Sequence, residues 1–360
     1  MNRRSRSKVA DALSMVILRR IAALFVAMLA LLFGAPTVAQ PVKLVSEDYS
    51  VPAADPGIQL FVRNKHPKAV TTFAPDRIVL FVHGATYPSE TTFDLELDGL
   101  SWMEFIAQRG YDVYLMDLRG YGRSTRPPEM AQPATNNQPI VHTDVAVRDF
   151  GTVVDHILRR RGVAKISLMA WSWGTTIASA YTVQNNDKVE RLALYAPIWL
   201  RQTPSLVRVD GPLGAYRTVT AGPARQRWLS GVAVDKQKDL IPAGWFEAWW
   251  NSNLEADPVG AKQNPPVIRA PNGVVEDGQR YWGADTRYYD PSKIRVPVLL
   301  VHADWDAEAP AYMSQALFAR LTGAPSKRYV VIGEGTHFVM MERNRMQLFR
   351  EVQLFLEEPR

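Results

Sequence analysis

The sequence predicts an α/β fold: a mostly parallel central sheet with helices on both faces. Two patterns predict it. Continuous apolar runs, such as Ile78-Val79-Leu80-Phe81-Val82 and Val298-Leu299-Leu300-Val301, are what strands buried on both faces require. Segments with apolar residues at helical spacing lie between such runs, for example Val147, Phe150, Val154, Ile157 and Leu158. Strands alternating with helices close into a parallel sheet through crossover connections. A third observation says where chemistry can sit. Ile166 to Ala170 is strand-like, Trp171-Ser172-Trp173 turns sharply, and small helix-compatible residues follow from Gly174.

From the N-terminus, Arg3, Arg4, Arg6, Lys8, Arg19 and Arg20 precede an uncharged run from Ile21 to Phe33, then Thr37-Val38-Ala39. A basic region, a short apolar core and small residues read as a secretory signal, with the cut expected after Ala39. The run is short for a membrane span, which takes about 20 residues, so no stable span is expected after cleavage. Met15 would give a more compact signal. Export of this kind implies a periplasmic or extracellular location. The whole chain carries 42 Lys and Arg against 36 Asp and Glu, a net of +6. Without residues 1–39 the balance is 36 against 35, a net of +1. The high isoelectric point therefore gives no argument for nucleic acid or anionic membrane as a partner. There is no cysteine, which excludes disulfides, thiolate metal sites and a cysteine nucleophile.

In the remaining chain, residues 48–51 and 58–62 read as the strands of an opening hairpin around Pro52 and Pro56-Gly57. Residues 77–82 are a buried strand ending in His83-Gly84-Ala85-Thr86. Residues 100–109 are a helix closed by Gly110. Residues 111–116 are a strand ending in Asp117-Leu118-Arg119-Gly120-Tyr121-Gly122. A Pro-rich loop leads to a helix at 145–161 and then to the Ser172 strand. Residues 191–196 are another strand. Pattern is then lost for about 90 residues, too many for a plain connecting loop. Residues 296–301, 328–332, 311–321 and 344–356 restore it as two strands and two helices. The organisation expected is a signal at 1–39, a core at 40–197 and 291–360, and an insertion at 198–290.

The strand–turn–helix at Ser172 is the setting of a nucleophile elbow, G-x-S-x-G, with Ala170 in place of the first glycine. A serine hydroxyl is a poor nucleophile unless a base stands beside it. His66, His83, His142, His156, His302 and His337 are the candidates, and only His337 follows the last strand, in a loop opened by Gly335. A carboxylate must then hold the imidazole, and Asp304 and Asp306 both lie just past a strand. No metal motif appears and no dinucleotide fingerprint follows a strand, so no cofactor or metal is expected.

Five stretches together resemble the α/β-hydrolase family. They are His83-Gly84, Asp117 to Ser124, the Ser172 elbow, His302-Ala303-Asp304-Trp305-Asp306 and Gly335-Thr336-His337. The resemblance covers residues 45–358 and implies a serine hydrolase with a cap. It implies Ser172 as nucleophile and His337 as base. The family pattern of a small residue, Asp three on and Pro four beyond fits Ala303, Asp306 and Pro310, which favours Asp306 over Asp304. The oxyanion donors implied are the backbone N–H of Trp173 and that of Ala85, preferred over Thr86. His83 would support the oxyanion loop.

The insertion carries Trp199, Trp228, Trp245, Trp249, Trp250, Tyr281 and Trp282, and Trp171 and Trp173 flank the serine. Aromatics supply area and ring faces for a ligand. Trp171, Trp249 and Trp250 are therefore expected to bind substrate, and the set favours a small ester with apolar or aromatic groups. One alternative is an aminopeptidase, since Ser172-Trp173-Gly174-Thr175-Thr176 resembles the elbow of proline iminopeptidases. That family has His-Gly-Gly-Pro-Gly where this chain has His83-Gly84-Ala85-Thr86-Tyr87. The other is a binding protein that keeps the fold without catalysis. The sequence carries no sign of oligomeric state.

Overall fold

The computed structural model describes residues 42–359 except Asp210, together with Met15 and Arg20. The signal segment and its cut after Ala39 therefore lie outside the described residues, those two positions apart. Residues Lys43–Arg360 form one compact unit. Among the described residues no helix is long and apolar enough to cross a membrane.

The hairpin strands are β1 (Leu44–Pro52) and β2 (Gln59–Pro67), paired antiparallel. β3 (Ile78–Val82) and β4 (Asp112–Met116) follow, separated by the short helices α1 (Ser89–Phe93) and α2 (Trp102–Ala107). A capping box starts α2: Ser101 Oγ accepts from Glu104 N–H and the Glu104 carboxylate accepts from Ser101 N–H. Helix α3 (Thr143–Arg161) ends at Gly162, whose φ of 65° suits a left-handed C-cap. Then come β5 (Ile166–Trp171), α4 (Trp173–Gln184) and β6 (Val189–Tyr195). Strand β9 (Val298–Ala303), helix α9 (Ala311–Arg320), β10 (Lys327–Ile332) and α10 (Arg345–Glu357) complete the core.

The eight-stranded sheet runs β1-β2-β4-β3-β5-β6-β9-β10, and every pair from β4 to β10 is parallel. Strands β3, β4, β5, β6 and β9 are buried throughout, which explains their unbroken apolar runs. The register aligns their ends: Trp171 pairs with Tyr195 and Tyr195 with Val301. Loops leaving β3, β5, β9 and β10 thus emerge at one carboxyl edge, where ligands collect in such sheets.

The segment between β6 and β9 has its own small elements. β7 (Tyr216–Val219) and β8 (Ile268–Pro271) form an antiparallel pair. Between them lie α5 (Ala221–Trp228), α6 (Gln237–Leu240) and α7 (Trp245–Glu255), and α8 (Gly273–Arg280) follows. None exceeds eleven residues. That is why the sequence loses pattern there: short elements repeat too few times for a period to show.

Candidate active site

Ser172 sits between β5 and α4 with φ 56° and ψ −126°. A non-glycine residue in that conformation costs on the order of 1–3 kcal/mol and persists only where its surroundings over-determine it. They do so here. Ser172 N–H donates to Tyr195 O (3.0 Å), and Ser172 O accepts from Thr175 N–H (2.9 Å) and Thr175 Oγ1 (2.6 Å). Close approach sets the flanking residues. A Cβ on Gly84 would lie 2.6 Å from Ser172 Cβ, and one on Gly174 would lie 2.6 Å from His83 O. Ala170 is fully buried in β5 at the position the elbow pattern gives to glycine.

The loop after β10 brings His337 to the serine. His337 Nε2 lies 2.8 Å from Ser172 Oγ, and Nδ1 lies 2.8 Å from Asp306 Oδ2. With the proton on Nδ1, the imidazole donates to Asp306 and accepts from the serine hydroxyl. Asp306 Oδ1 accepts in turn from the N–H groups of Glu308 (2.9 Å) and Ala309 (2.8 Å). Burial pushes the Asp306 carboxyl up, but His337 and the Ala309 N–H outweigh it and hold the pKa below the usual range. Asp304 is solvent-exposed and is not the carboxylate that reaches His337.

Ala85 and Trp173 both wall the cavity beside Ser172. Among the described residues neither backbone N–H donates to a protein group. For Trp173 this follows from its place at the start of α4, where the first N–H groups have no partner in the helix. His83 braces this loop: Nδ1 donates to Gly84 O (2.6 Å), and Nε2 accepts from Leu118 N–H (3.1 Å). Burial lowers the His83 pKa to about 4, so the ring is neutral and can play both parts.

The cavity at Ser172 has a volume of ≈ 600 Å³. Its lining includes the apolar side chains of Trp173, Ile198, Val274, Val275 and Trp282. It also includes the polar side chains of Arg201, Gln202, Gln279 and Glu308. Arg201 Nη2 donates to Glu308 Oε1 at 2.7 Å, and both side chains are nearly buried.

Residues 74–344 match the family model described as serine aminopeptidase, S33. The chain belongs to this family of α/β-hydrolases. Among curated proteins it is 26% identical over 133 residues to epoxide hydrolase 2 of Siraitia grosvenorii, covering 37% of this chain and 36% of that protein. It is 29% identical over 133 residues to lipase member N of Mus musculus, covering 37% and 33%. The chain thus spans about a third of the length of these relatives. Among solved structures it resembles a serine hydrolase involved in carbazole degradation, with TM-score 0.58 and 17% identity over 87% of this chain and 99% of that one. It also resembles an esterase from Thermogutta terrifontis, with TM-score 0.53 and 18% identity over 86% and 98%. At such identities the likeness is one of fold.

Within this family fold, three expected substrate residues stand elsewhere. Trp171 is wholly buried and does not wall the cavity; its Nε1 donates to His337 O at 2.9 Å. Trp249 is wholly buried against Tyr87, Trp228, Phe246 and Phe338, with ring centroids 4.5 to 5.9 Å apart. Trp250 is buried beside it and also lies off the cavity. Large apolar rings gain most by leaving water completely, and here they fill the joint between insertion and core. Trp282 is the insertion tryptophan that reaches the cavity wall.

Other residues at the site escaped the sequence reading. Thr175 binds Ser172 O and also accepts from Ile198 N–H at 3.1 Å, tying the elbow to the start of the insertion. Glu342 lies beneath the histidine loop. It accepts from Thr336 N–H (3.0 Å) and Trp228 Nε1 (2.8 Å), and bonds Thr336 Oγ1. The Arg201–Glu308 pair spans 107 positions of sequence. No local pattern marks a charge whose partner is so distant.

Proposed function

We propose that this hydrolase-family protein cleaves carboxylic esters through an acyl-serine intermediate. The observation that carries the reading is the hydrogen-bonded chain Ser172 Oγ, His337 Nε2, His337 Nδ1 and Asp306 Oδ2, each link 2.8 Å long. Ser172 Oγ attacks the ester carbonyl carbon as its proton passes to His337 Nε2. Asp306 accepts the Nδ1–H bond and stabilises the imidazolium. The negative charge formed on the carbonyl oxygen is held by the N–H groups of Ala85 and Trp173, which have no competing protein acceptor. The leaving alcohol takes the proton from Nε2. Water then gives a proton to Nε2 and attacks the acyl carbon, and that proton passes to Ser172 Oγ as its bond to the acyl carbon breaks and the carboxylic acid leaves. The apolar wall of Trp173, Ile198, Val274, Val275 and Trp282 supports an apolar or aromatic group on the substrate. Residues 198–290 act as the cap that supplies most of that wall.

The family description favours a second reading, an aminopeptidase. Such an enzyme needs an acidic group to receive a substrate ammonium. The carboxylate in the cavity, Glu308, is already bound to Arg201 at 2.7 Å, which favours the ester reading. A non-catalytic binding role would leave the strained Ser172 conformation without a use. We also propose export, with cleavage after Ala39, which N-terminal sequencing of the secreted protein checks.

Ser172→Ala should abolish hydrolysis of p-nitrophenyl esters down to the residual rate of binding and oxyanion contacts, with aminoacyl anilides as the comparison substrates. Full turnover in a folded Ser172→Ala protein would overturn the mechanism. Faster cleavage of the anilides by the native protein would move the reading to the aminopeptidase.

A further inference from the structure

A buried guanidinium group and a partly buried one converge on the loop after β3. Arg217, on β7, donates through Nη2 to Thr86 Oγ1 (2.6 Å) and through Nη1 to Pro271 O (2.6 Å). Arg227, in the last turn of α5, reaches the same Thr86 oxygen at 3.5 Å. Thr86 has φ 87°, a rare conformation for a β-branched residue, and it immediately follows Ala85. The loop that offers an oxyanion donor is thus held from its far side by two cations.

Their charge is only partly balanced among the described residues. The hydrogen-bond partners of Arg217 are neutral: the Thr86 hydroxyl, the carbonyls of Ala270 and Pro271, and the Asn272 side chain. No carboxylate among the described residues pairs with it. Arg227 has Glu308 Oε2 at 4.0 Å, but Arg201 holds the other oxygen of that carboxylate at 2.7 Å. Arg201 and Arg227 therefore share one carboxylate, and Arg217 pairs with none among the described residues. Buried charges in proteins are ordinarily paired, because desolvation without a counter-charge is costly. Burial lowers the Arg217 pKa, and the neighbouring Arg227 charge adds to that.

The two arginines wall a second cavity of ≈ 720 Å³. It adjoins the first, sharing Val207 and Arg208, and consecutive residues Ala85 and Thr86 wall one and the other. We propose that Arg217 and Arg227 form a subsite for a carboxylate carried by the ester substrate, on either its acyl or its alcohol part. Guanidinium forks bind planar carboxylates through parallel N–H bonds, which suits this pair. The proposal rests on the hydrolase reading and names its substrate class: an apolar ester bearing an anionic end.

The test compares matched esters in the native protein, Arg217→Met, Arg227→Gln and the conservative Arg217→Lys. The pairs are p-nitrophenyl hexanoate with the p-nitrophenyl monoester of adipate, and phenyl hexanoate with 4-carboxyphenyl hexanoate. In the native protein at least one carboxylate ester should exceed its neutral match in kcat/KM. That ratio should fall at least tenfold in Arg217→Met and Arg227→Gln, whatever loss both esters share through the Thr86 loop, and Arg217→Lys should retain part of it. A ratio of one or less for both pairs in the native protein overturns the proposal. Equal losses on neutral and anionic esters do the same, and would make Arg217 a prop for Thr86. Adipate binding to Ser172→Ala, followed by thermal shift, is the arm that does not depend on hydrolysis. Protection by adipate there, lost when Arg217→Met is added, keeps the subsite even if Ser172→Ala still turns over and the mechanism fails.

Discussion

Ser172 is held by its neighbours in a backbone conformation it would not adopt alone. Its backbone conformation is unfavourable for any L-residue, yet Tyr195 and Thr175 hold it there and so expose the hydroxyl to His337. Asp306 and Asp304 differ just as sharply although two positions apart. One is buried and bound to His337 Nδ1; the other faces solvent. Asp306→Asn should therefore lower kcat by about 10³–10⁴-fold, through loss of tautomer and charge support. Asp304→Asn should leave kcat within a few-fold, and steady-state kinetics of both variants on one ester would decide. The two tryptophans beside the serine part company too. Trp173 walls the cavity, whereas Trp171 turns inward and holds the carbonyl of His337. Alternation along β5 and the turn at Ser172 separate them, and the identical side chains gave no hint of it.

At the scale of elements, the elbow depends on three backbones meeting closely. Gly84 after β3 and Gly174 in α4 supply the room, and a single Cβ at either would enter the van der Waals shell of its neighbour. The insertion attaches by a different means. Trp228, Phe246 and Trp249 pack with Tyr87 and Phe338 of the core into one aromatic cluster. Trp249→Ala should destabilise the fold by about 3–5 kcal/mol, the usual cost of removing a large buried ring. Acetyl, octanoyl and benzoyl esters should then be affected alike, because Trp249 does not wall the cavity. Melting curves beside kinetics on the three esters test this. Selective loss of the bulky esters would return Trp249 to the substrate site.

For the whole molecule, Glu342 joins the insertion to the histidine loop through Trp228 and Thr336. Burial raises its pKa to about 7, against the pull of Thr336 and Trp228. Between an unfolded pKa of about 4.3 and the folded value of about 7, the folded state holds the extra proton. This contribution to stability is complete at low pH and is lost as pH rises through that window. The stability difference between the native protein and Glu342→Gln should accordingly move by up to ~3 kcal/mol against the native protein between pH 4 and 8. Denaturant titrations at several pH values read that slope, and parallel curves for the two proteins would reject the assignment. His83, lowered to about 4, acts with opposite sign, its contribution growing as pH rises from about 4 to about 6.5. It is common to both proteins and cancels in the comparison.

The family resemblance named the serine–histidine pair, and the order of the core strands and longer helices and the parallel sheet were legible in the sequence itself. They rest on local signals: unbroken apolar runs, helical spacing, and a turn whose small residues must follow one another. The chain could also narrow the acid to two aspartates. Which of them reaches His337, which tryptophans meet the cavity, and how the short elements between β6 and β9 pair emerge in the folded structure. It alone brought Arg217 and Arg227 to the Thr86 hydroxyl, 131 and 141 positions away in sequence. Burial and charge pairing belong to the folded surroundings of a side chain, and neighbours in sequence carry almost none of that information once the partner lies across the fold.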